Sequence, residues 1–323
     1  MNLGRAALIA SALCLSTVIP ALAQADAQSF PIRSIRVVDP FPPGSPGDLM
    51  LRTASGLLQT SLGQPVIVDN KPGAGGNVAV DAVAAAPADG YTLLTGPDTL
   101  YSVNPFIYSR AVAPQMLTPI MRLSRQGLVL ACSNNVSAKN LEDLIKLSQR
   151  QSLTYSSGGN GTPAHLAMEL LKSESPLKMA HIPYKGPTPA VQAVLSGEVS
   201  CGLLSGNVVV PLANSGRVKV LAVTHSKRYG PLPQVPTVTE AGYPGAEVEI
   251  MLTLSAPKGT PPAVIQVVES AFRKALADSK VSRTLTEAGL EPDVAGRQEV
   301  QAEVDAASRK WGGVIRRIGL KVE

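Results

Sequence analysis

The chain has 323 residues, 45% of them hydrophobic and 16% charged, with a formal net charge of +5. This is the composition of an ordinary globular protein, and its positive charge is spread without a basic run or interleaved aromatics, which argues against nucleic acid as a partner. A chain of this length exceeds what one core usually organises, so two lobes are expected.

The first residues read as a secretory signal peptide: Arg5 supplies a positive n-region, Ala6 to Ile19 an apolar region and Ala21-Leu22-Ala23 a cleavage site. Residues 1–23 are therefore expected to be a leader and the mature chain to be periplasmic, although a cut after Ala27 obeys the same rule. Leu13 before Cys14 argues against lipoprotein processing. No later stretch is apolar for long enough to span a bilayer. With Cys14 removed, Cys132 and Cys201 remain in an oxidising compartment, and the sequence leaves open a disulfide or two buried thiols.

Arg36 to Val38 reads as a strand, and Pro42-Pro43-Gly44 cannot continue its ladder. Met50, Ala54, Leu57 and Leu58 then recur at helical spacing until Gly63, with Asp48 as the expected N-cap. A loop that feeds a helix N-terminus offers free backbone N–H groups and the positive end of the helix dipole to a small anion. Strands follow at Pro65 to Val68 and Tyr91 to Leu94, around a helix from Val78 to Ala86. The glycines of Gly73-Ala74-Gly75-Gly76 are followed by no Lys-Ser or Lys-Thr, which excludes a P-loop. This alternation predicts a parallel α/β layer with ligands beyond the carboxyl ends of the strands.

A second set begins at Gly127 to Cys132. Asn140 is expected to cap a helix from Leu141 to Gln149, and Leu153 to Tyr155 is a strand. The loop Ser156-Ser157-Gly158-Gly159-Asn160-Gly161 repeats the grammar of the first, with Thr162 as N-cap and Pro163 at the first helical position. His181 to Tyr184 ends a strand, Lys185-Gly186-Pro187 opens a helix, and Ser200 to Leu204 is a strand with Ser205-Gly206-Asn207 as its exit. Glu247 to Ser255 reads as a long strand, followed by helices at Pro262 to Ala277, Val281 to Ala288 and Gln298 to Ile315. No strand is expected among these, they should cover the outside of one lobe, and Trp311 reads as a packing anchor. Two long segments, near Pro119 to Cys132 and Glu247 to Pro257, would join the lobes as a hinge.

Several pieces, collinear along the mature chain, carry a family resemblance: Pro40-Phe41-Pro42-Pro43-Gly44 with Asp48; Gly63-Gln64-Pro65 through Asp69-Asn70-Lys71-Pro72-Gly73-Ala74-Gly75-Gly76-Asn77; Asp89-Gly90-Tyr91; Asn104-Pro105; Gly161-Thr162-Pro163-Ala164-His165; Pro183-Tyr184-Lys185-Gly186; Val235-Pro236-Thr237; and Ala256-Pro257-Lys258-Gly259-Thr260-Pro261. The chain resembles the Bug (Bordetella uptake gene) family of periplasmic solute-binding proteins, the receptors of tripartite tricarboxylate transporters. The resemblance implies a two-lobed α/β fold of the type II periplasmic-binding-protein (Venus flytrap) kind, each lobe a mostly parallel sheet flanked by helices, with two crossover strands. Lobe 1 would comprise residues 28–122 and 252–323, and lobe 2 residues 123–251. It further implies a small carboxylate held between the lobes, no cofactor, no metal, no catalysis, a monomer, and membrane permease subunits as partners. A periplasmic sensor domain is the alternative partner.

The resemblance and the loops together nominate ligand-binding residues: Phe41, Pro43, Gly44, Ser45 and Asp48 on the first loop; Asp98 and Thr99 on the third strand's exit; Ser157, Gly158, Asn160, Gly161, Thr162 and His165 on the second loop; and Lys185, Gly186, Ser205 and Asn207. The chain departs from the family pattern at Ser45, where Gly usually repeats, at Asp98 and Tyr101, at Met251, and at Ser109 to Ala113. Asp98 reads either as a loop residue that faces solvent or caps the Asn104 turn, or as an acid opposite the carboxylate loops, which would favour a monocarboxylate with a hydrogen-bond donor at its far end. A secreted hydrolase is the remote alternative: His165, His181 and His225 lack a G-x-S-x-G elbow and no H-E-x-x-H is present. His165 reads as a packed or capping residue.

Overall fold

Hydrophobic runs with side chains buried on both faces dictate the architecture. In the strand Ile35–Asp39 (β1), Val37 packs to one side and Val38 to the other, and Leu93 and Leu94 divide in the same way in Thr92–Pro97 (β3). Such strands are stable only when helices cover both faces of their sheet. The computed structural model describes residues 30–109 and 114–321; the expected leader and the departure at residues 110–113 lie outside them.

The first half continues with α1 (Pro46–Leu62), β2 (Val66–Asn70), α2 (Asn77–Ala84), the short α3 (Thr99–Ser102) and α4 (Asn104–Ile107), and β4 (Leu117–Gln126). The next group is β5 (Leu128–Cys132), α5 (Leu141–Ser148), β6 (Thr154–Ser157), α6 (Pro163–Glu174), β7 (Ala180–Pro183), α7 (Pro187–Ser196), β8 (Cys201–Ser205), α8 (Gly206–Asn214) and β9 (Lys219–Val223). The chain then returns through β10 (Ile250–Pro257) to α9 (Pro262–Ala277), α10 (Ser279–Glu287), β11 (Pro292–Gly296) and α11 (Arg297–Ile318).

Two sheets result, ordered β11-β4-β10-β3-β1-β2 and β7-β6-β8-β5-β9. The strands β1, β2 and β3 are parallel, as are β6, β7 and β8. Each sheet also contains a strand that arrives from the other lobe, β10 in the first and β5 in the second, and these pair antiparallel with both neighbours. The sheets are therefore mixed rather than mostly parallel. No strand is expected near the C-terminus, yet β11 pairs with β4 in an interrupted register and forms the edge of the first sheet.

Each sheet has its own cores. Leu93, Ile120 and Leu254 meet α1 and α9 on one face of the first sheet, while Leu94 and Val38 meet α2 and α11 on the other. In the second sheet Leu130 and Leu203 face α5 and α6, and Val129 and Ala131 face α7 and α8. Cys132 and Cys201 stand opposite one another on adjacent strands and form a disulfide.

The lobes are joined at two places that lie against each other. Only Gly127 separates β4 from β5, and a Cβ there would stand 2.5 Å from Nδ1 of His225. Thr224 knits this crossing to the return segment: its hydroxyl accepts from the Leu128 N–H at 2.8 Å and donates to the Val248 carbonyl at 2.7 Å. The last helix does more than cover one lobe. Trp311, Val314 and Ile315 join the core that holds α6, and Arg317 pairs with Glu174 at 3.1 Å.

Candidate functional site

At the end of β1 the chain turns through Pro40, and the carboxylate of Asp39 organises the turn. Its Oδ1 accepts from the Phe41 N–H and from the Ser45 hydroxyl, both at 2.9 Å. Ser45 is the N-cap of α1, accepting from the Asp48 N–H at 3.1 Å. Asp48, expected as the cap, sits a turn further in. It accepts from the Gly44 N–H at 3.0 Å and pairs with Arg52 at 2.9 Å, a variant of the capping box. Burial opposes ionisation of Asp48, but Arg52 and the Gly44 N–H hold its carboxyl below the usual range.

Asp39 lacks such a cation. Burial outweighs its two hydrogen bonds and pushes its carboxyl up to about 7. The second oxygen, Oδ2, has no hydrogen-bond partner among the described residues. It lies against Gly47, whose added Cβ would stand 2.1 Å from it.

The loop after β6 faces this turn. Thr162 occupies the N-cap position of α6 and Pro163 the first helical position, as expected, but the Thr162 hydroxyl donates to the Gly159 carbonyl at 2.7 Å and makes no cap. The loop is closed on itself and the first turn of α6 has no side-chain cap. His165 Nδ1 accepts from the Gly161 N–H at 3.1 Å, which puts its proton on Nε2. Its ring stacks on His181 at 4.0 Å, and His181 stacks on Tyr155. Burial lowers these histidines to about 4 and about 3, so both are neutral near pH 7.

Between the loops lies a cavity with about 60 Å³ open to the centres of water molecules. The first lobe lines it with Asp39, Phe41, Pro46, Gly47, Gly96, Pro97, Gln126, Met251 and Leu252, and the second with Leu128, Gly158, Thr162, Pro163, Ala164, Pro187, Leu204 and Ser205; Ile250 adds to the wall at the return crossing. Four helices begin at this wall: α1 at Pro46, α6 at Pro163, α7 at Pro187 and α8 just after Ser205. Asp39 is the only titratable side chain among the lining residues.

Of the nominated residues, Phe41, Gly158, Thr162 and Ser205 meet at the cavity. Others tie the lobes together at its mouth. Asn207 Nδ2 donates to the Gly44 carbonyl at 2.9 Å, Thr188 donates to the Pro43 carbonyl at 3.3 Å, and the Asn160 carbonyl accepts from Tyr108 at 2.8 Å. At Gly186 a Cβ would meet Pro42 at 2.5 Å. Ser45, Asp48, Ser157, Gly161 and His165 shape the two loops from behind the wall. Lys185 is exposed and Thr99 is buried at the start of α3.

Asp98 is not in the wall. Its carboxylate turns to β10 and accepts from the Met251 N–H at 3.0 Å, while its own N–H donates to the Met251 carbonyl. The acid that reaches the cavity is Asp39. The sequence does not single it out, because whether a residue between a strand and its turn reaches a cleft depends on what the other lobe places opposite it. Gln126, Leu204 and Ile250 lie at ends of strands or crossings, and their exposure to the cleft likewise depends on the other lobe.

The model for the tripartite tricarboxylate transporter family receptor matches residues 50–320. The chain belongs to this family. Among tripartite tricarboxylate receptors it is similar to protein BugT of Bordetella pertussis, with 32% identity over 310 residues that cover 93% of this chain and 94% of that one. The structure of R. palustris Rpa4515 with adipate superposes with a TM-score of 0.86 at 30% identity, covering 90% of this chain and 99% of that one. MatC from Rhodopseudomonas palustris with bound malate gives 0.81 at 28% identity, covering 88% and 100%. The receptor family thus accounts for the two lobes, their crossings and the cleft.

Proposed function

We propose that the protein is an exported receptor that captures a small carboxylate in the interlobe cavity and presents it to the membrane subunits of a tripartite tricarboxylate-type transporter, without chemistry. The observation that carries this reading is the convergence of four helix N-termini, from both lobes, on one cavity that no cation lines. Three of these helices carry Pro in the first turn, which has no N–H of its own. The amides just inside then face the cleft, and the helix dipoles favour a negative group there. A carboxylate held by backbone amides needs no Arg or Lys. Phe41, Gly47, Gly158, Thr162, Ala164 and Ser205 are its contacts in this reading. The family match and the carboxylate-bound neighbours support it.

The test is calorimetric titration of the purified protein with small carboxylates and with their neutral primary amides. Carboxylates are expected to bind and amides not to bind; equal binding of both would overturn the reading. Uptake of a bound carboxylate by cells should be lost when the receptor gene is deleted, and unchanged uptake would remove the transport role.

A further inference from the structure

Two side chains of the cavity wall carry an oxygen with no hydrogen-bond partner among the described residues. Asp39 is 1% exposed and uses only Oδ1 in hydrogen bonds, leaving Oδ2 at the wall beside Gly47. Gln126, 8% exposed, lines the same cavity at the end of β4, and its Oε1 is buried with no hydrogen-bond partner. Arg52, the cation whose charge acts on Asp39, is engaged with Asp48. The rest of the wall is dominated by Phe41, Leu128, Leu204, Met251 and prolines.

Unsatisfied acceptors in a dry wall are costly, and the cost is removed when a ligand brings donors to them. A carboxylate brings none. A second ligand carboxylate placed against ionised Asp39 would meet a like charge with no cation in the wall to offset it, whereas an ammonium or N–H would give Oδ2 a donor. We infer that Asp39 and Gln126 form a donor-recognition subsite, selecting a monocarboxylate that carries an ammonium or N–H group over dicarboxylates of the same length. The subsite deepens the carboxylate reading above and rests on it. It also separates this chain from its structural neighbours, whose bound adipate and malate carry two carboxylates.

Ser45 holds the subsite in place. Its hydroxyl fixes the rotamer of Asp39 through Oδ1, so Oδ2 is presented without reorganisation when a ligand arrives. Gly47 is required by the same arrangement, since any side chain there would displace the carboxylate.

The experiment compares matched acids of three to six carbons: the plain monocarboxylate, its α-amino and ω-amino forms, and the dicarboxylate. Each is titrated into the wild type, Asp39→Asn and Gln126→Met. In at least one set an amino-bearing acid is expected to bind about tenfold tighter than both the plain acid and the dicarboxylate. Asp39→Asn keeps an acceptor for Phe41 and Ser45, and should bring that ratio close to one. Gln126→Met leaves Asp39 untouched and should weaken the amino-bearing acid by about three- to tenfold. The wild-type ranking decides the matter even if a variant folds poorly. A dicarboxylate ranking first in every set would overturn the subsite while leaving the carboxylate reading intact. Failure of every acid to bind would remove both.

Discussion

Asn207 at the start of α8 reaches across the mouth of the cleft to the carbonyl of Gly44, 163 residues earlier, at 2.9 Å. The bond bridges the two lobes, so any opening of the cleft would break it. Asn207→Ala should favour the open form and weaken carboxylate binding by about fivefold, the effect of one lost hydrogen bond of about 1 kcal/mol. Thermal unfolding of the ligand-free protein should change little. Calorimetry at one temperature reads the effect, and an unchanged Kd would show that this contact does not govern closure.

Gly161 is more demanding. Its φ is +73°, and a Cβ would stand 2.2 Å from Cδ1 of Ile107 on the opposite lobe. Gly161→Ala therefore combines about 1 kcal/mol of backbone strain with a wedge between the lobes. Affinity should fall by more than about tenfold. Scattering should show a larger radius of gyration in saturating ligand than the wild type has. Adding Ile107→Ala should restore part of the affinity, and no restoration would mean that strain alone is responsible.

Asp98 makes stability depend on pH. Burial, opposed by the Met251 N–H, raises its carboxyl from 3.8 to about 7. Between those values the folded chain binds more protons than the unfolded one. Its stabilising contribution is therefore complete below about pH 4 and is lost as pH rises to about 7. Asp98→Asn cannot ionise and still accepts from Met251. Measured by denaturant unfolding, the stability of the variant relative to wild type should climb between pH 4 and 7, by at most about 1.4 kcal/mol per unit, then level off. A difference independent of pH would contradict the burial of this carboxyl.

The disulfide closes a loop of 69 residues between neighbouring strands of the second sheet. Cys132→Ala with Cys201→Ala should destabilise that lobe by about 2–4 kcal/mol. Two transitions should then separate in urea where the wild type shows one. Coincident unfolding of both variant lobes would indicate that the crossings alone couple them.

Much of this design is legible in the chain itself. Pro163 after Thr162, and Gly63 and Gly197 after their helices, mark local events, and the structure places them where the pattern does. Short-range chemistry was harder to assign between neighbours: Ser45 and Asp48 are both good caps, and only the geometry around Asp39 makes Ser45 the cap. Thr162 sits at its helix start, but its hydroxyl has a better acceptor in Gly159. Long-range facts were not readable. That Asp98 meets Met251, 153 residues on, and that Asp39 meets the cavity depend on pairings between distant parts of the chain, and Pro292-Asp293-Val294-Ala295-Gly296 has no strand pattern until it pairs with β4.

The interleaving of the strands also orders assembly in time. The second sheet is one uninterrupted run, β5 to β9, whereas in the first sheet β10 lies between β3 and β4. The first four strands of lobe 1 therefore wait for the strand that joins them, and the core of the second lobe in turn waits for Trp311, Val314 and Ile315 of the last helix. Met251 and Leu252, which line the cavity, arrive on that same late strand. A chain without β10 in place therefore has an incomplete cavity wall, whatever the state of its other strands.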